Sequence, residues 1–268
     1  MSIYLGQLGR MVELKCPSTQ QVATAEGYSF EETLEGRVKA QARPNQRRTW
    51  SLSTSDATTP SQQATLLGFV NGEWGRGPFV FVSADAPVTN ILSPSAASCD
   101  PSVMDATSTA SGPVMVEGQW AGRSVKHSSG TMLSLGSEPI PVLPGKFLTF
   151  SAYVLGAGAR VWAQFFSTSG NSVGSVSTAP TGTPTVMSRV HLTTVAPANA
   201  AYCLLFGIDG TQFARPAVTW TDQLFPWAAG EGCPKAVLHG ASKNLVLASR
   251  DIRGGRYASL TYTVTEVG

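Results

Sequence analysis

The chain carries three histidines, His127, His191 and His239, and four cysteines, Cys16, Cys99, Cys203 and Cys233, and their spacing argues against most catalytic and metal chemistry. No two cysteines form a CxxC pair and none has a histidine at zinc-ligand distance along the chain, so a zinc site is not expected. The histidines stand in no HExxH context, and each reads as a surface or strand-edge residue. No GxSxG nucleophile elbow and no GxxxxGK[ST] phosphate loop is present; the GAGAR of Gly156 to Arg160 is a hairpin tip without the helix that would aim amides at a phosphate. Glycoside hydrolysis needs two carboxylates facing each other across a cleft, whereas Glu117, Glu138, Asp209 and Asp222 are dispersed over turns and strand ends. Asp209, in IDGT, lacks the DxDxDG spacing of a calcium loop. The expectation is a protein that is not an enzyme and has no resident metal or cofactor.

What the residues do offer is a binding surface. In Pro141 to Phe166, PVLPGKFLTFSAYVLGAGARVWAQFF, a Pro-Gly corner feeds one aromatic-rich strand into another across a Gly-Ala-Gly turn. Leu148, Phe150, Ala152 and Val154 alternate onto one face, as do Val161, Ala163 and Phe165, which is the period of half-buried strands. The opposite face carries Tyr153, Trp162 and Gln164, expected to meet solvent; aromatic rings interleaved with hydrogen-bonding groups make a shallow site suited to sugars. On the strand Thr185 to Thr194, Val190 and Leu192 point one way and leave Arg189, His191 and Thr193 to extend that surface. The glycan-binding candidates are therefore Tyr153, Trp162, Gln164, Arg189 and His191. Packing of Trp162 against a neighbouring loop or subunit is the competing reading. Trp220 and Trp227 read as structural, and Trp120, at a strand end, is undecided.

A single basic cluster stands out: Arg37, Lys39, Arg43, Arg47 and Arg48, with no acidic residue among them. It reads either as a solvated hairpin or as a surface facing nucleic acid or another subunit. With net charge +2, the chain as a whole is no nucleic-acid or membrane binder by bulk electrostatics.

These residues need a scaffold. Charged residues are only 13% of the 268, and Gly, Pro, Ser and Thr abound, so the expected class is all-β with many short strands and tight turns. One helix is expected, with Thr58 or Thr59 as N-cap, Pro60 first, Leu66, Phe69, Val70 and Trp74 on one face, and Asn71-Gly72 as its end. Tyr28 to Gln41 reads as one arm of a hairpin that returns through RTWSLSTS. Seven to nine strands between residues 114 and 228 suggest a sandwich or jelly roll. The last forty residues are too few for a core of their own, so residues 1–86 and 229–268 are expected to form one split domain, with 87–113 a linker and 114–228 an inserted jelly-roll sandwich. A hairpin tip is expected at Gly254-Gly255. Cys203, in AYCLLFGI, reads as a buried thiol; Cys99 and Cys233 flank the insertion and would meet only in an oxidised protein, and reduced thiols are expected. The N-terminus lacks a secretory signal and no stretch approaches the roughly 20 apolar residues of a membrane span. Synthesis in the cytoplasm, with release by a route such as lysis, is the expectation.

The segments TPSQQATLLGFVNGEWGRGPFVFV, APVTNILSP and RYASLTYTVTEVG resemble the distal tail proteins, or minor tail proteins, of long-tailed phages that infect actinobacteria. The middle resembles a carbohydrate-binding module of jelly-roll type through VLPGKFLTFSAYV, the W-x-x-F-F strand and AVTWTDQLFPWAAGEGCP. The resemblance implies a homo-oligomeric ring, usually a hexamer, in the virion tail. The split domain would form a belt around the lumen and join the tail-tube protein to the hub or tip proteins, and the insertion would project outward. It places Arg37, Lys39, Arg43, Arg47 and Arg48 at the subunit interface or lumen, implies no catalytic residue, and allows contact with host cell-wall glycan. The alternative from another class is a soluble, non-catalytic carbohydrate-binding protein.

Overall fold

The computed structural model describes residues 2–14, 17–24, 28–42, 47–54, 58–104, 109–126, 132–182, 185–209, 212–248 and 256–268. It is an all-β protein with sandwich-like sheets and, among the described residues, two α-helices. Two compact units are present. The first is Met1–Ile3, Glu13–Phe79 and Lys235–Gly268; the second is Tyr4–Val12 and Val80–Pro234.

In the first unit the strand Arg256–Glu266 lies between Cys233–Ala248 and Arg48–Ser53, and Thr19–Thr24 pairs on the far side of Arg48–Ser53. Leu260, Tyr262 and Val264 alternate inward along the last strand, and Trp50 and Leu52 do so on its neighbour, all of them buried. Helix Pro60–Asn71 packs on this sheet through buried Leu66 and Phe69. Its start is a capping box: Thr59 Oγ1 accepts from Gln62 N at 3.4 Å and Gln62 Oε1 accepts from Thr59 N at 3.2 Å, satisfying two amides that would otherwise be orphaned. Gly72, at φ 81°, ends it. Val70 is exposed, and Trp74 lies past the cap, stacked on Phe69 with centroids 5.1 Å apart.

The expected hairpin through RTWSLSTS is corrected. Tyr28–Glu32 turns back on Val38–Ala42 instead, because Thr33 to Arg37 closes a turn with Gly36 at φ 76° and Gly36 N donating to Thr33 O at 2.8 Å. This hairpin pairs with no other described strand, and Phe30, Leu34 and Val38 on it are exposed. The expected tip at Gly254-Gly255 lies outside the described residues.

The second unit contains two facing sheets. One runs Ser188–Val195, Phe147–Leu155, Gln212–Thr219, Ser124–Lys126, Thr109–Ser111; the other runs Met132–Ser134, Tyr202–Ile208, Arg160–Phe166, Ser172–Ser177. Leu148, Phe150, Ala152, Val154, Phe213 and Val218 point in from the first sheet, and Val161, Ala163, Phe165, Cys203 and Leu205 from the second. Phe150 and Phe165 meet edge-on at 6.1 Å. Burying alternate residues of both sheets is what holds a sandwich together. Tyr4 to Gly6 pair with Val80 to Val82 in this unit.

Residues 87–113, expected as a linker, bring Ile91, Leu92, Ala96, Ala97, Cys99 and Met104 into the same core, and Ser93 caps a short helix Pro94–Ala97. The segment AAGEGCP is laid along Asn90 to Ser93, with Glu231 N donating to Asn90 O at 2.8 Å and Gly232 N to Leu92 O at 2.9 Å.

Candidate functional site

Consecutive strands Phe147–Leu155 and Arg160–Phe166 belong to different sheets, since the Gly156 to Gly158 turn crosses from one layer to the other. Their inward faces share a core, so their outward faces are opposite surfaces of the sandwich. Tyr153 and Trp162, expected side by side, are therefore separated.

On the outer face of the second sheet three cross-strand pairs stand in register: Trp162 with Phe206, Gln164 with Leu204, and Phe166 with Tyr202. The rings of Trp162 and Phe206 are 5.3 Å apart and tilted by 38°, and those of Phe166 and Tyr202 are stacked at 5.1 Å. All six side chains are half-buried, and Gln164 Nε2 donates to Ser172 Oγ at 3.1 Å on the adjoining strand. The arrangement is a shallow aromatic strip with amide and hydroxyl groups beside it, able to stack on the apolar face of a sugar ring and to hydrogen-bond its hydroxyls.

On the outer face of the first sheet Tyr153 is only 2% exposed, against the expectation of a solvent-facing ring. The hairpin Val114–Val116 with Gln119–Ala121 covers it, and Val116, Ala121 and Ala214 pack on it. Glu117 at φ 48° and Gly118 at φ 76° form the hairpin's tip, the left-handed pair of a tight two-residue turn. Burial pushes the Tyr153 hydroxyl above its usual range and its hydrogen bond with the Glu117 carboxylate pushes it further, while Arg189 and Arg215 pull it back. Arg189 faces Tyr153 in register, its guanidinium 5.6 Å from the ring and its Nη2 donating to Ser151 Oγ at 3.0 Å. His191 is exposed two pairs further along, opposite Ser151. Tyr153, Arg189 and His191 thus share one sheet, and Trp162 and Gln164 the other.

Arg215 was not singled out in the sequence. It occupies a bulge in Gln212–Thr219: Ser151 faces Ala217 and Tyr153 faces Ala214, so two residues on one strand span three on the other. The extra residue holds φ 49°. The signal for it in the sequence is Pro216, which marks a bulge when it falls within a strand.

Of the basic cluster, Arg37, Lys39 and Arg47 are exposed, with Arg37 3.9 Å from Glu35 and Lys39 opposite Glu31 on the isolated hairpin. Arg43 lies outside the described residues. Arg48 is turned inward, bonded to Glu266 and stacked at 4.9 Å over Trp50, and so is separate from an exposed basic surface. Among the described residues no group of three His, Cys, Asp or Glu side chains could hold a metal ion, and no helix is long and apolar enough to cross a membrane.

No family model matches the chain, and no curated protein matches it. Solved structures do. The enzymatically active domain of tailspike protein 4 from bacteriophage CBA120 aligns with 12% identity and a TM-score of 0.40, over 50% of this chain and 22% of that one. The carbohydrate-binding module CBM6cm-2 of Cellvibrio mixtus lichenase 5A, solved with cellotriose, aligns with 15% identity and a TM-score of 0.32, over 46% of this chain and 94% of the module. The C-terminal family 22 carbohydrate-binding module of Clostridium thermocellum Xyn10B aligns with 17% identity and a TM-score of 0.23, over 45% and 89%. The chain spans about a fifth of the tailspike domain's length. Identities and scores this low assign neither family nor function.

Proposed function

We propose that this chain is a non-catalytic structural subunit of a phage tail, a distal tail protein that forms a ring between tail tube and tail tip, with its sandwich unit contacting host-surface glycan. The observation that carries this reading is the pairing of Arg256–Glu266 with Arg48–Ser53, which brings the last strand into one sheet with an early one, while most of the chain between them, residues 80–234, belongs with residues 4–12 to the sandwich unit. A domain whose ends meet accepts an insertion at a surface loop and can keep its own contacts while the insertion does something else. The hairpin Tyr28–Glu32 with Val38–Ala42 also favours assembly, because a lone two-stranded hairpin with exposed Phe30, Leu34 and Val38 is marginal in water and gains from a neighbouring subunit. Arg37 and Lys39 lie on that hairpin. The glycan contact rests on the strip of Trp162, Gln164, Phe166, Tyr202 and Phe206.

A shallow strip of this kind binds weakly, on the order of millimolar, or about 4 kcal/mol. Six copies engaging one cell wall raise the effective affinity by roughly 100 to 10,000 fold when geometry permits simultaneous contact. The test is mass photometry of the full chain together with cell-wall pulldown. A discrete assembly near six times 28.1 kDa, and wall binding reduced at least tenfold by Trp162→Ala, are the expected results. A monomer at every concentration overturns the ring, and a monomer that still binds wall through Trp162 identifies a soluble carbohydrate-binding protein instead. Undiminished pulldown of the Trp162→Ala variant overturns the glycan strip.

A further inference from the structure

Within the second unit, on the side of the sandwich away from the Trp162 strip, Arg123, Arg215 and Trp227 line a cavity of 260 Å³ together with the small side chains of Ala97, Ser98 and Ala121. Its volume is near the lower end of small-ligand pockets, about 300 Å³. Features of its lining and of its rim select a ligand.

Arg215 is held at φ 49°, a left-handed conformation that residues other than glycine rarely adopt. The bulge that imposes it re-aims the side chain, which would otherwise alternate with its strand neighbours. The guanidinium then rests 4.8 Å from the centroid of the Trp227 ring and donates from Nη2 to the Trp120 carbonyl oxygen at 3.1 Å. The indole of Trp227 is fixed in turn, with Nε1 donating to Pro216 O at 3.3 Å. Among the described residues no carboxylate lies within ion-pair distance of Arg215, although it is partly buried.

Arg123 adds a second guanidinium, paired with Asp100. Two of the residues that line the pocket are arginines and none is a carboxylate. A planar, pre-organised fork with free N–H donors matches a carboxylate. Next to Ala121, at the rim, Trp120 is 68% exposed, a large ring with area to offer a sugar face.

The geometry points to a second saccharide subsite, one for an acidic sugar, with the carboxylate held by Arg215 and Arg123 and the sugar ring against tryptophan. It rests on the glycan-contacting part of the proposed function and not on the ring. The same anion chemistry can come from a phosphate group, and the site is assigned here to a uronic acid.

Titration calorimetry on the full-length protein with digalacturonate, cellobiose and inorganic phosphate decides it. With the Trp162 strip removed by Trp162→Ala, digalacturonate is expected to bind in the millimolar range, and cellobiose and phosphate at least tenfold more weakly. Arg215→Gln is expected to weaken digalacturonate binding at least tenfold. Arg123→Gln, at an exposed position that leaves the bulge intact, should weaken it several-fold and keeps the test valid if the first variant misfolds. Trp162→Ala should leave digalacturonate binding unchanged, so that a failed wall pulldown at the Trp162 strip and a failed acidic subsite are told apart. In the Trp162→Ala protein, cellobiose or phosphate bound as tightly as digalacturonate overturns the assignment, and so does full affinity in the Arg123→Gln variant.

Discussion

Arg48 and Glu266, 218 positions apart in the chain, form a two-pronged ion pair: Nε donates to Oε2 at 3.0 Å and Nη2 donates to Oε1 at 2.9 Å. The Arg48 backbone N–H also donates to Oε2 at 3.3 Å, and the guanidinium lies over Trp50. The pair fastens the end of the last strand to the start of Arg48–Ser53, at the register Thr265 to Thr49. Both groups are largely shielded from water, where removing one partner leaves the other charge stranded. Arg48→Met is expected to destabilise the first unit by about 3 kcal/mol, read as a lower urea midpoint. A midpoint within error of the parent protein would show that the clasp adds nothing.

Asn90 is fully buried and uses its whole side-chain amide. Nδ2 donates to Pro216 O at 3.2 Å and Ala228 O at 3.1 Å, and Oδ1 accepts from Leu92 N at 3.2 Å and Val218 N at 3.1 Å. One side chain thus ties three segments of the sandwich unit. Asn90→Ala leaves four backbone groups without these partners, and the expected loss is at least about 3 kcal/mol; a loss under about 1 kcal/mol in chemical unfolding would contradict it.

Gly232 stands where a methyl group would fall 1.9 Å from Ile91 O, and at Gly230 it would fall 2.4 Å from Leu92 O and Ser93 O. The obstacle is backbone, which cannot swing aside as a side chain does. Gly232→Ala is expected to cost about 3 kcal/mol and to lower the thermal midpoint of the sandwich unit. Gly182→Ala, which would meet nothing within 4 Å, serves as the control.

Burial raises the thiol of Cys99 from 9.0 to about 12, its hydrogen bond with the Arg215 backbone pulling weakly the other way, and burial raises that of Cys203 as well. A group whose folded value lies above its unfolded value stabilises the fold fully below the unfolded value. That contribution is lost as pH climbs through the folded one. Stability of the sandwich unit should therefore decline between about pH 9 and pH 12, and less steeply in Cys99→Ala. At pH 8 neither thiol should react with iodoacetamide until denaturant is added; rapid labelling of Cys99 or Cys203 in native protein, mapped by mass spectrometry, would show the burial to be wrong.

Much of the scaffold was written locally. Thr59, Pro60, Gln62 and Gly72 specify the ends of the helix through hydrogen bonds and dihedrals that involve no distant residue. The alternation of Leu148, Phe150, Ala152 and Val154 assigns their side of the strand because successive side chains must point oppositely. Leu260, Tyr262 and Val264 obey the same rule. The turn Thr33 to Arg37 is equally local, but the weak alternation on either side of it does not mark it off from one continuous strand.

The sequence by itself determined an all-β class, the faces of individual strands and the residue types available for binding, since these depend on neighbours one to four positions away. Only the tertiary structure decided which faces share a surface. Alternation says which side of its own sheet Tyr153 or Trp162 occupies, but it does not say that the turn between them changes sheets, and that crossing puts one ring under a hairpin and the other on the outer strip. Arg215 and Trp227 meet for the same reason: a bulge and a returning loop bring them together, and contacts of that kind are set by how the layers close over one another.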